Sequence, residues 1–154
     1  MKITYHKGDL LESNCDYICH QVNCQGKMGS GLALQVRNRW PQVYEEYIDF
    51  CENIEENKWL LGLIQLVKIN EKTTVVNMFG QYNYGSDGKR YTSYDAFWDC
   101  LQQLNETVPD KSTIGIPSKI GCVRGGANFG VILNMIIETF QERDVSIQIW
   151  EYEA

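Results

Sequence analysis

The sequence predicts an α/β protein: a three-layer α/β/α sandwich with a mixed, mostly parallel central sheet. Short β-rich apolar segments alternate with helical patterns, and this alternation favours parallel strands connected by helices. Residues 63–69 and 73–79 are both β-rich and are joined only by Asn70, Glu71 and Lys72. They are expected to form a hairpin or two adjacent strands, which adds antiparallel pairing to the sheet.

The first part of the chain is predicted to supply two strands and two helices. Residues 2–6 form a short strand, and residues 17–22 form a compact apolar strand that is expected to be buried. A glycine-rich turn over 26–31 leads into a helical segment at 32–40. Pro41 suits the first position of the next helix, which is predicted to run to about residue 55. Near the 3.6-residue period this helix carries Val43, Tyr47, Phe50, Cys51 and Ile54.

The second part adds a polar loop, two helices and two strands. Residues 80–92 form the loop, and Ser93 can cap a helix that reaches about residue 108. Thr113–Pro117 is a short strand, and a second glycine-rich loop follows over 118–128. Ser146–Tyr152 alternates apolar and polar residues and is expected to close the sheet. The helix between them, 129–143, is expected to turn Val131, Met135, Ile136 and Phe140 inward.

Composition and charge narrow the functional classes. The chain of 154 residues is 44% hydrophobic and 22% charged, and residues 1–154 are predicted to form a single domain. It has no run of 18 apolar residues and no signal-peptide pattern, so we expect no membrane contact, a cytoplasmic location and a monomer. The formal net charge of -6 disfavours nucleic-acid binding. A phosphate ligand would then depend mainly on main-chain N–H groups and helix dipoles.

The cysteines do not predict a metal site. None of the six forms a Cys-x-x-Cys pair, and free thiols in a reducing compartment are expected. Cys19, His20 and Cys24 lie near one another in the sequence, but their spacing matches no common zinc pattern.

Two glycine-rich loops are the features that point to chemistry. The first, over 23–31, and the second, over 118–126, each follow a predicted strand and precede a predicted helix. Glycines let the main chain approach a ligand, and the helix that follows directs its N–H groups toward it. Both loops are expected at the carboxyl edge of the sheet, where two such loops suit a ligand with two phosphates. Neither has the spacing of a triphosphate-binding loop or of a classical NAD-binding loop, and each can also be a tight strand-to-helix turn.

Three stretches resemble the macrodomain family. They are Gly8-Asp9-Leu10 after the first strand, His20 to Gly26, and Ile116 to Cys122, and their order and spacing agree with the family across nearly the whole chain. The resemblance implies the α/β/α fold and ADP-ribose or a derivative as ligand, with no metal and no cofactor. An ADP-ribosylated macromolecule is a further partner that the resemblance implies.

The resemblance also implies a role for each site residue. Asp9 would accept a hydrogen bond from the adenine amino group, Asn23 would contact the distal ribose, and residues 121–125 would wrap the diphosphate. Trp150 lies where an aromatic ring stacks on adenine. The implied ligand-binding set is Asp9, Leu10, Asn23, Gly26, Met28, Gly29, Gly31, Ser118, Ile120, Gly121, Cys122, Val123, Arg124, Gly125 and Trp150. Structural alternatives remain open, since Asp9 can cap a helix, Asn23 can form an Asx turn and Trp150 can belong to the core.

His20 and Asn23 are the implied catalytic residues. The stretch from His20 to Gly26 is similar to the branch that hydrolyses ADP-ribose 1''-phosphate to ADP-ribose, where a histidine can act as acid, base or nucleophile. Residues 27–31 instead resemble the branch of terminal ADP-ribose protein glycohydrolase. That branch uses a lysine near the end of the middle strand and an aspartate in the second loop. Here residues 75–80 contain no lysine, and the second loop has Gly125 beside Arg124.

These observations predict hydrolysis at the distal ribose of an ADP-ribose derivative, with ADP-ribose 1''-phosphate as the expected substrate. One alternative is a non-catalytic module that reads or sequesters ADP-ribose. Another is an ADP-ribosyl hydrolase with a different catalytic set, and a third is an α/β domain that binds some other nucleotide. A buried histidine on a strand is commonly structural, and that alternative stays open for His20.

Overall fold

The computed structural model of the chain describes residues 1–153, which form a six-stranded sheet with helices on both faces. The strand order is β1-β6-β5-β2-β4-β3. Every neighbouring pair is parallel except β3 and β4, so the predicted mixed, mostly parallel sheet and its hairpin are confirmed. The strands are β1 (Lys2–Gly8), β2 (Tyr17–Asn23), β3 (Ile64–Lys68), β4 (Thr74–Gln81), β5 (Thr113–Pro117) and β6 (Ser146–Tyr152).

Four α-helices cover the two faces of the sheet: α1 (Gly31–Arg39), α2 (Pro41–Glu52), α3 (Tyr94–Thr107) and α4 (Phe129–Phe140). Helices α1 and α2 share one core cluster with the sheet, which includes Val36 and Tyr47. Helices α3 and α4 share the other, which includes Leu101 and Ile136. Each cluster buries apolar side chains from alternate positions of the central strands, and this makes the fold a three-layer sandwich.

Local sequence signals explain where the helices begin. Pro41 occupies the first turn of α2, where its missing N–H group costs no hydrogen bond. The Ser93 hydroxyl accepts a hydrogen bond from the N–H of Ala96 at 3.1 Å and caps α3, as predicted. Asn128 caps α4 in the same way through the N–H of Gly130. Both α2 and α4 end a few residues earlier than the sequence predicts, at Glu52 and Phe140.

Two expectations about the carboxyl-terminal third are wrong. Val131, predicted to face inward on α4, is 41% exposed, and Ile132 is buried in its place. The inward stripe of α4 is Ile132, Ile136 and Phe140, spaced four residues apart, and Val131 lies beside this stripe on the exposed side. The last strand does not close the sheet but lies between β1 and β5, which leaves β1 and β3 as the edges.

The parallel pairing decides where a ligand can sit. Strands β1, β6, β5, β2 and β4 all run in the same direction, so their carboxyl ends lie along one edge of the sheet. The loops that follow β2 and β5, which are neighbouring strands, therefore meet at that edge. Among residues 1–153, no helix combines the length and the apolar character needed to cross a membrane.

Candidate functional site

A cleft of about 1060 Å³ runs along the carboxyl edge of the parallel strands. Its volume lies at the upper end of the range for small-molecule sites, which suits a ligand the size of a dinucleotide. The structure brings every predicted site residue to this one cleft. The lining includes Asp9, Leu10, His20, Asn23, Gly26, Met28, Gly29, Gly31, Ser118, Ile120, Gly121, Cys122, Val123, Arg124, Gly125 and Trp150.

At the β1–β6 end of the cleft, Asp9 follows β1 directly. Its Oδ1 accepts a hydrogen bond from the N–H of Leu11 at 2.9 Å and caps the short 3-10 helix Leu10–Glu12. Asp9 therefore does act as a helix cap, the structural role left open by the sequence. The carboxylate makes no other hydrogen bond within residues 1–153, so Oδ2 is left for a donor in the cleft.

Trp150 lies beside Asp9 on β6, and its ring is held on one face by His6. The two ring centroids are 4.8 Å apart with an interplanar angle of 15°, and the two residues pair across β1 and β6. The indole Nε1 donates a hydrogen bond to Gln148 Oε1 at 3.0 Å. Trp150 is half-buried against the core and also lines the cleft, so packing against the core is observed and a stack on adenine stays a prediction.

The second loop, over 118–126, is tied down by main-chain and hydroxyl hydrogen bonds. The Thr92 hydroxyl donates to the carbonyl of Gly121 at 2.7 Å, and the N–H of Thr92 donates to the carbonyl of Gly125 at 2.9 Å. Gly121 has a φ of +71°, which favours glycine. A Cβ at Gly125 would overlap the Gly121 carbonyl and the Thr92 hydroxyl, so this glycine is needed by the loop itself.

The first loop, over 24–30, is built around the side chain of Asn23. Oδ1 accepts from the N–H groups of Gln25 at 3.0 Å and Lys27 at 3.3 Å, which is the Asx-turn alternative. Gly29 has open space around its Cα. Ser30 occupies the cap position of α1 without a side-chain hydrogen bond, which leaves the first N–H groups of α1 uncapped beside the cleft.

The β2–β4 end of the cleft has a polar floor that sequence reasoning missed. Gln21 Nε2 donates to Gln81 Oε1 at 2.7 Å and to the Thr92 hydroxyl at 2.8 Å. These partners fix the amide orientation, because Gln81 Nε2 in turn donates to the carbonyl of Asn83. Gln21 Oε1 is then a buried acceptor with no partner. A signal existed in the sequence, since Gln21 is an unexpected polar residue in a strand otherwise read as apolar.

His20 lies next to Gln21 but faces the layer of α1 and α2. Its Nε2 contacts Asn77 Oδ1 at 2.5 Å, and Asn77 Nδ2 donates to Gln65 Oε1 at 3.0 Å. Gln65 donates onward to the carbonyl of Glu46, so the chain of donors requires the proton of His20 on Nε2. Nδ1 is then the bare ring nitrogen, buried and without a partner. Burial lowers the pKa of His20 to about 4, although the Asn77 hydrogen bond opposes the shift.

The cleft gathers positive charge in an acidic protein. Among residues 1–153, the cations Lys27, Arg37, Lys119 and Arg124 line it, and its only carboxylates there are Asp9 and Glu151. None of these four cations is in an ion pair within residues 1–153, because all the ion pairs there join residues outside the lining. Arg37 instead lies over the ring of Tyr44, 3.7 Å from its centroid. Unpaired cations with uncapped helix N–H groups make the cleft a site for an anion.

Metal-binding side chains do not gather anywhere in the described part of the chain. Within residues 1–153, no three His, Cys, Asp or Glu side chains lie close enough to hold an ion. Cys19 and His20 are adjacent on β2 and belong to opposite faces of the sheet. All six cysteines are free thiols, and only Cys122 in the second loop is partly exposed.

The chain is similar in sequence to proteins whose names state an activity. No protein-family model matches the chain. An ADP-ribose 1''-phosphate phosphatase of Meyerozyma guilliermondii is 30% identical over 125 residues, which cover 77% of this chain and 70% of that protein. A DNA ADP-ribosyl glycohydrolase of Mycobacterium bovis is 23% identical over 140 residues, or 91% of this chain. The chain spans only 39% of the length of that relative.

Among solved structures, the macrodomain of Mycobacterium tuberculosis DarG superposes with a TM-score of 0.79. The two chains are 23% identical, and the superposition covers 96% of each. At this identity the likeness establishes the fold, and it agrees with the layer order and sheet described above.

Proposed function

The chain belongs to the macrodomain family, and from that premise we propose that residues 1–154 act as one domain that binds ADP-ribose in the cleft and hydrolyses a derivative of it at the distal ribose. The proposed substrate is ADP-ribose 1''-phosphate. Water would add to the phosphorus, and the bond between phosphorus and the 1'' oxygen would break to release phosphate and ADP-ribose. The phosphatase of Meyerozyma guilliermondii supports this choice.

One observation carries the proposal: unpaired cations and two glycine loops line a single cleft in a chain of net charge -6. The five ion pairs of the described residues all lie elsewhere, so the charge of the cleft is available to a ligand. A diphosphate has two anionic groups, and both loops line the cleft that would receive them. The diphosphate would receive N–H groups from residues 121–125 and from the start of α1.

The order of the strands supports one direction for the proposed ligand. Asp9 and Trp150 lie at the β1–β6 end, the glycine loops lie over β5 and β2, and Gln81 ends β4. Adenine at the first end and the distal ribose at the last would each find hydrogen-bonding partners of the kind they require. Asp9 Oδ2 suits an amino group, whereas amide side chains suit the hydroxyls of a ribose.

His20 is the proposed acid–base residue on one ground. Its Nδ1 has no protein partner and, with a pKa of about 4, carries no proton at neutral pH. The ring is only 2% exposed, however, and this observation favours a second candidate function, a reader that binds ADP-ribose without turnover. Turnover separates the two candidates.

The test is to incubate the protein with ADP-ribose 1''-phosphate in the presence of a chelator and to measure phosphate and ADP-ribose. We expect release of both, with turnover reduced at least about 100-fold in His20→Ala. ADP-ribose binding by calorimetry should be micromolar, about -8 kcal/mol, and should stay within about 1 kcal/mol in the variant. Arms with ADP-ribosylated protein and ADP-ribosylated DNA test the related hydrolase activities.

Each outcome of this test supports a different function. Binding without product in any arm makes the chain a reader. Product from a macromolecular arm alone makes it an ADP-ribosyl hydrolase of another substrate class. Heat with ATP or NAD but none with ADP-ribose overturns the proposal.

A further inference from the structure

A tyrosine hydroxyl reaches the site from inside the core. Tyr47 of α2 is fully buried among apolar side chains, where a phenylalanine would fill nearly the same space. Its hydroxyl donates to the main-chain carbonyl of Asn23 at 2.6 Å and lies 3.1 Å from Asn23 Oδ1. Burial raises the pKa of Tyr47, so this hydroxyl keeps its proton and stays a donor at any physiological pH. The Tyr47 hydroxyl is therefore a permanent hydrogen-bond donor to Asn23.

Asn23 is where β2 leaves its regular pairing. The register with β4 shifts between Val22 and Asn23. Regular alternation would place Asn23 on the same face as Gln21, toward α3 and α4. The extra residue at this shift is Gly80 of β4, because Val22 pairs with Phe79 and Asn23 pairs with Gln81. The main-chain carbonyl and the Oδ1 of Asn23 nevertheless both lie within hydrogen-bonding distance of the Tyr47 hydroxyl on α2. Irregular strand pairing of this kind is common beside functional sites.

The hydrogen bonds of Asn23 leave one group unused. Oδ1 accepts from the N–H groups of Gln25 and Lys27, and Nδ2 donates to the carbonyl of Lys27 at 2.9 Å. These partners fix which end of the amide is oxygen. An asparagine amide has two hydrogens, so one remains without a partner within residues 1–153. Asn23 lines the cleft, and that hydrogen is the part of the amide left for a ligand.

We propose that Tyr47 is a positioning residue that holds Asn23 so that its free amide hydrogen is directed at an oxygen of the distal ribose. The inference rests on the proposed function, because it needs ADP-ribose in the cleft. Tyr47 itself touches no ligand. It acts through Asn23 by fixing the end of β2 against α2, and the loop 24–27 then folds around the fixed side chain.

The test compares two ligands that differ only beyond the diphosphate. Tyr47→Phe keeps the ring and removes the hydroxyl. We expect its Kd for ADP-ribose to rise about fivefold to tenfold, the usual effect of one lost hydrogen bond. Its Kd for ADP, which has no distal ribose, should stay within about twofold. Calorimetry with each ligand gives the ratio, and thermal melting confirms that the variant is folded.

Ser112→Ala is the matched control. The Ser112 hydroxyl is also buried and also donates to a main-chain carbonyl, that of Pro109 at 2.7 Å, but it lies at the amino end of β5, away from the cleft. This variant should lose stability without changing the ratio of the two Kd values. A structural contribution of Tyr47 alone would make the two variants behave alike.

A double-mutant cycle tests whether Tyr47 acts through Asn23. In the Asn23→Ala background, Tyr47→Phe should leave the ratio of the two Kd values unchanged. Two outcomes overturn the positioning role while the proposed function stands. The first is an unchanged ratio of the two Kd values in the single variant Tyr47→Phe. The second is an equal change of that ratio when Tyr47→Phe is made in the Asn23→Ala background. Wild-type protein that binds ADP but gains nothing from the distal ribose also overturns the positioning role, and wild-type protein that binds neither ligand overturns the proposed function as well.

Discussion

The two ends of the cleft are built differently. At the β1–β6 end, Trp150 is stacked on His6 and hydrogen-bonded to Gln148, and Asp9 is anchored by Leu11. At the β2–β4 end, the floor contains His20 Nδ1 and Gln21 Oε1, the two buried side-chain atoms without a partner among residues 1–153. At the first end the Trp150 ring and the Asp9 cap are already held by protein partners and only Asp9 Oδ2 is left for a ligand, whereas the second end holds buried acceptors without partners.

The difference assigns different tasks to the two ends. A rigid, satisfied surface binds a constant part of a ligand at little entropic cost, as an adenine platform requires. Buried polar atoms without partners destabilise a fold, and proteins retain them mainly where function needs them. Among residues 1–153, the two atoms belong to consecutive residues in the middle of β2, which face opposite sides of the sheet and both line the cleft near the proposed distal ribose. Specificity and chemistry are therefore expected there, and affinity at the adenine end.

The largest expected effect is a loss of stability at low pH, caused by the buried His20 at the end with unpartnered atoms. His20 has a pKa of about 4 in the fold against its ordinary 6.5. Between pH 4 and pH 6.5, His20 is protonated in the unfolded chain but stays neutral in the folded chain. Stability is thus complete above about pH 6.5 and falls as the pH decreases toward 4, by up to about 3 kcal/mol.

Urea unfolding from pH 4 to pH 7 measures this dependence. His20→Gln, which can still donate to Asn77, should remove the His20 part of it, so the difference between the two proteins isolates the histidine from the carboxylates that titrate nearby. If the free energy of unfolding depends on pH in the same way in both proteins, His20 is not a neutral buried ring. The proposed difference between the two ends of the cleft would then rest on Gln21 alone.

The next effect tests the satisfied end. Asp9→Ala should weaken ADP-ribose binding by about 1–3 kcal/mol, because the adenine amino group would lose its acceptor. Binding of ribose 5-phosphate, which has no adenine, should barely change. Calorimetry with both ligands measures the difference.

Asp9→Asn is the control that separates the cap from the ligand. Its Oδ1 can still accept from the N–H of Leu11, so the 3-10 helix stays capped. The amide NH₂ would meet the adenine amino group with a second donor. If Asp9→Asn binds ADP-ribose normally and only Asp9→Ala loses both affinity and melting temperature, Asp9 is a cap and nothing more.

The sequence predicts the satisfied end better than the unsatisfied one. The glycine loops could be found from their own residues and flanking elements, whereas Asp9 and Trp150 were implied by the family resemblance. The resemblance also implied His20 and Asn23 at the other end, but not Gln21 or Gln81. Tyr47 could be placed on the inward stripe of α2, but its hydroxyl bond to Asn23 spans 24 residues and joins α2 to β2. Such a contact has no local signal in the sequence.

The tertiary arrangement explains the remaining misses. Gln81 and Gln21 meet because β2 and β4 are parallel neighbours, and Thr92 joins them through an isolated bridge to Gln81. Strand order was not predictable from periodicity, and the unexpected central place of β6 shows the same limit. Val131 was placed inward because α4 carries apolar residues on several faces, and periodicity alone does not select which of them face the core.

The smallest expected effect sharpens the account of the rigid end, since it concerns a residue that does not itself line the cleft. His6→Ala removes the ring beneath Trp150, and we expect ADP-ribose binding to weaken by about 0.5–1.5 kcal/mol, the usual contribution of one aromatic pair. His6→Phe should restore most of the loss, because it keeps a ring although it loses the contact of His6 Nε2 with the Thr4 hydroxyl at 2.7 Å. Thr4→Val removes the same contact from the other side and should change little. Were Thr4→Val to weaken binding as much as His6→Ala, the hydrogen bond rather than the stack would hold the edge of the sheet, and Trp150 would owe its position to Gln148 and the core instead.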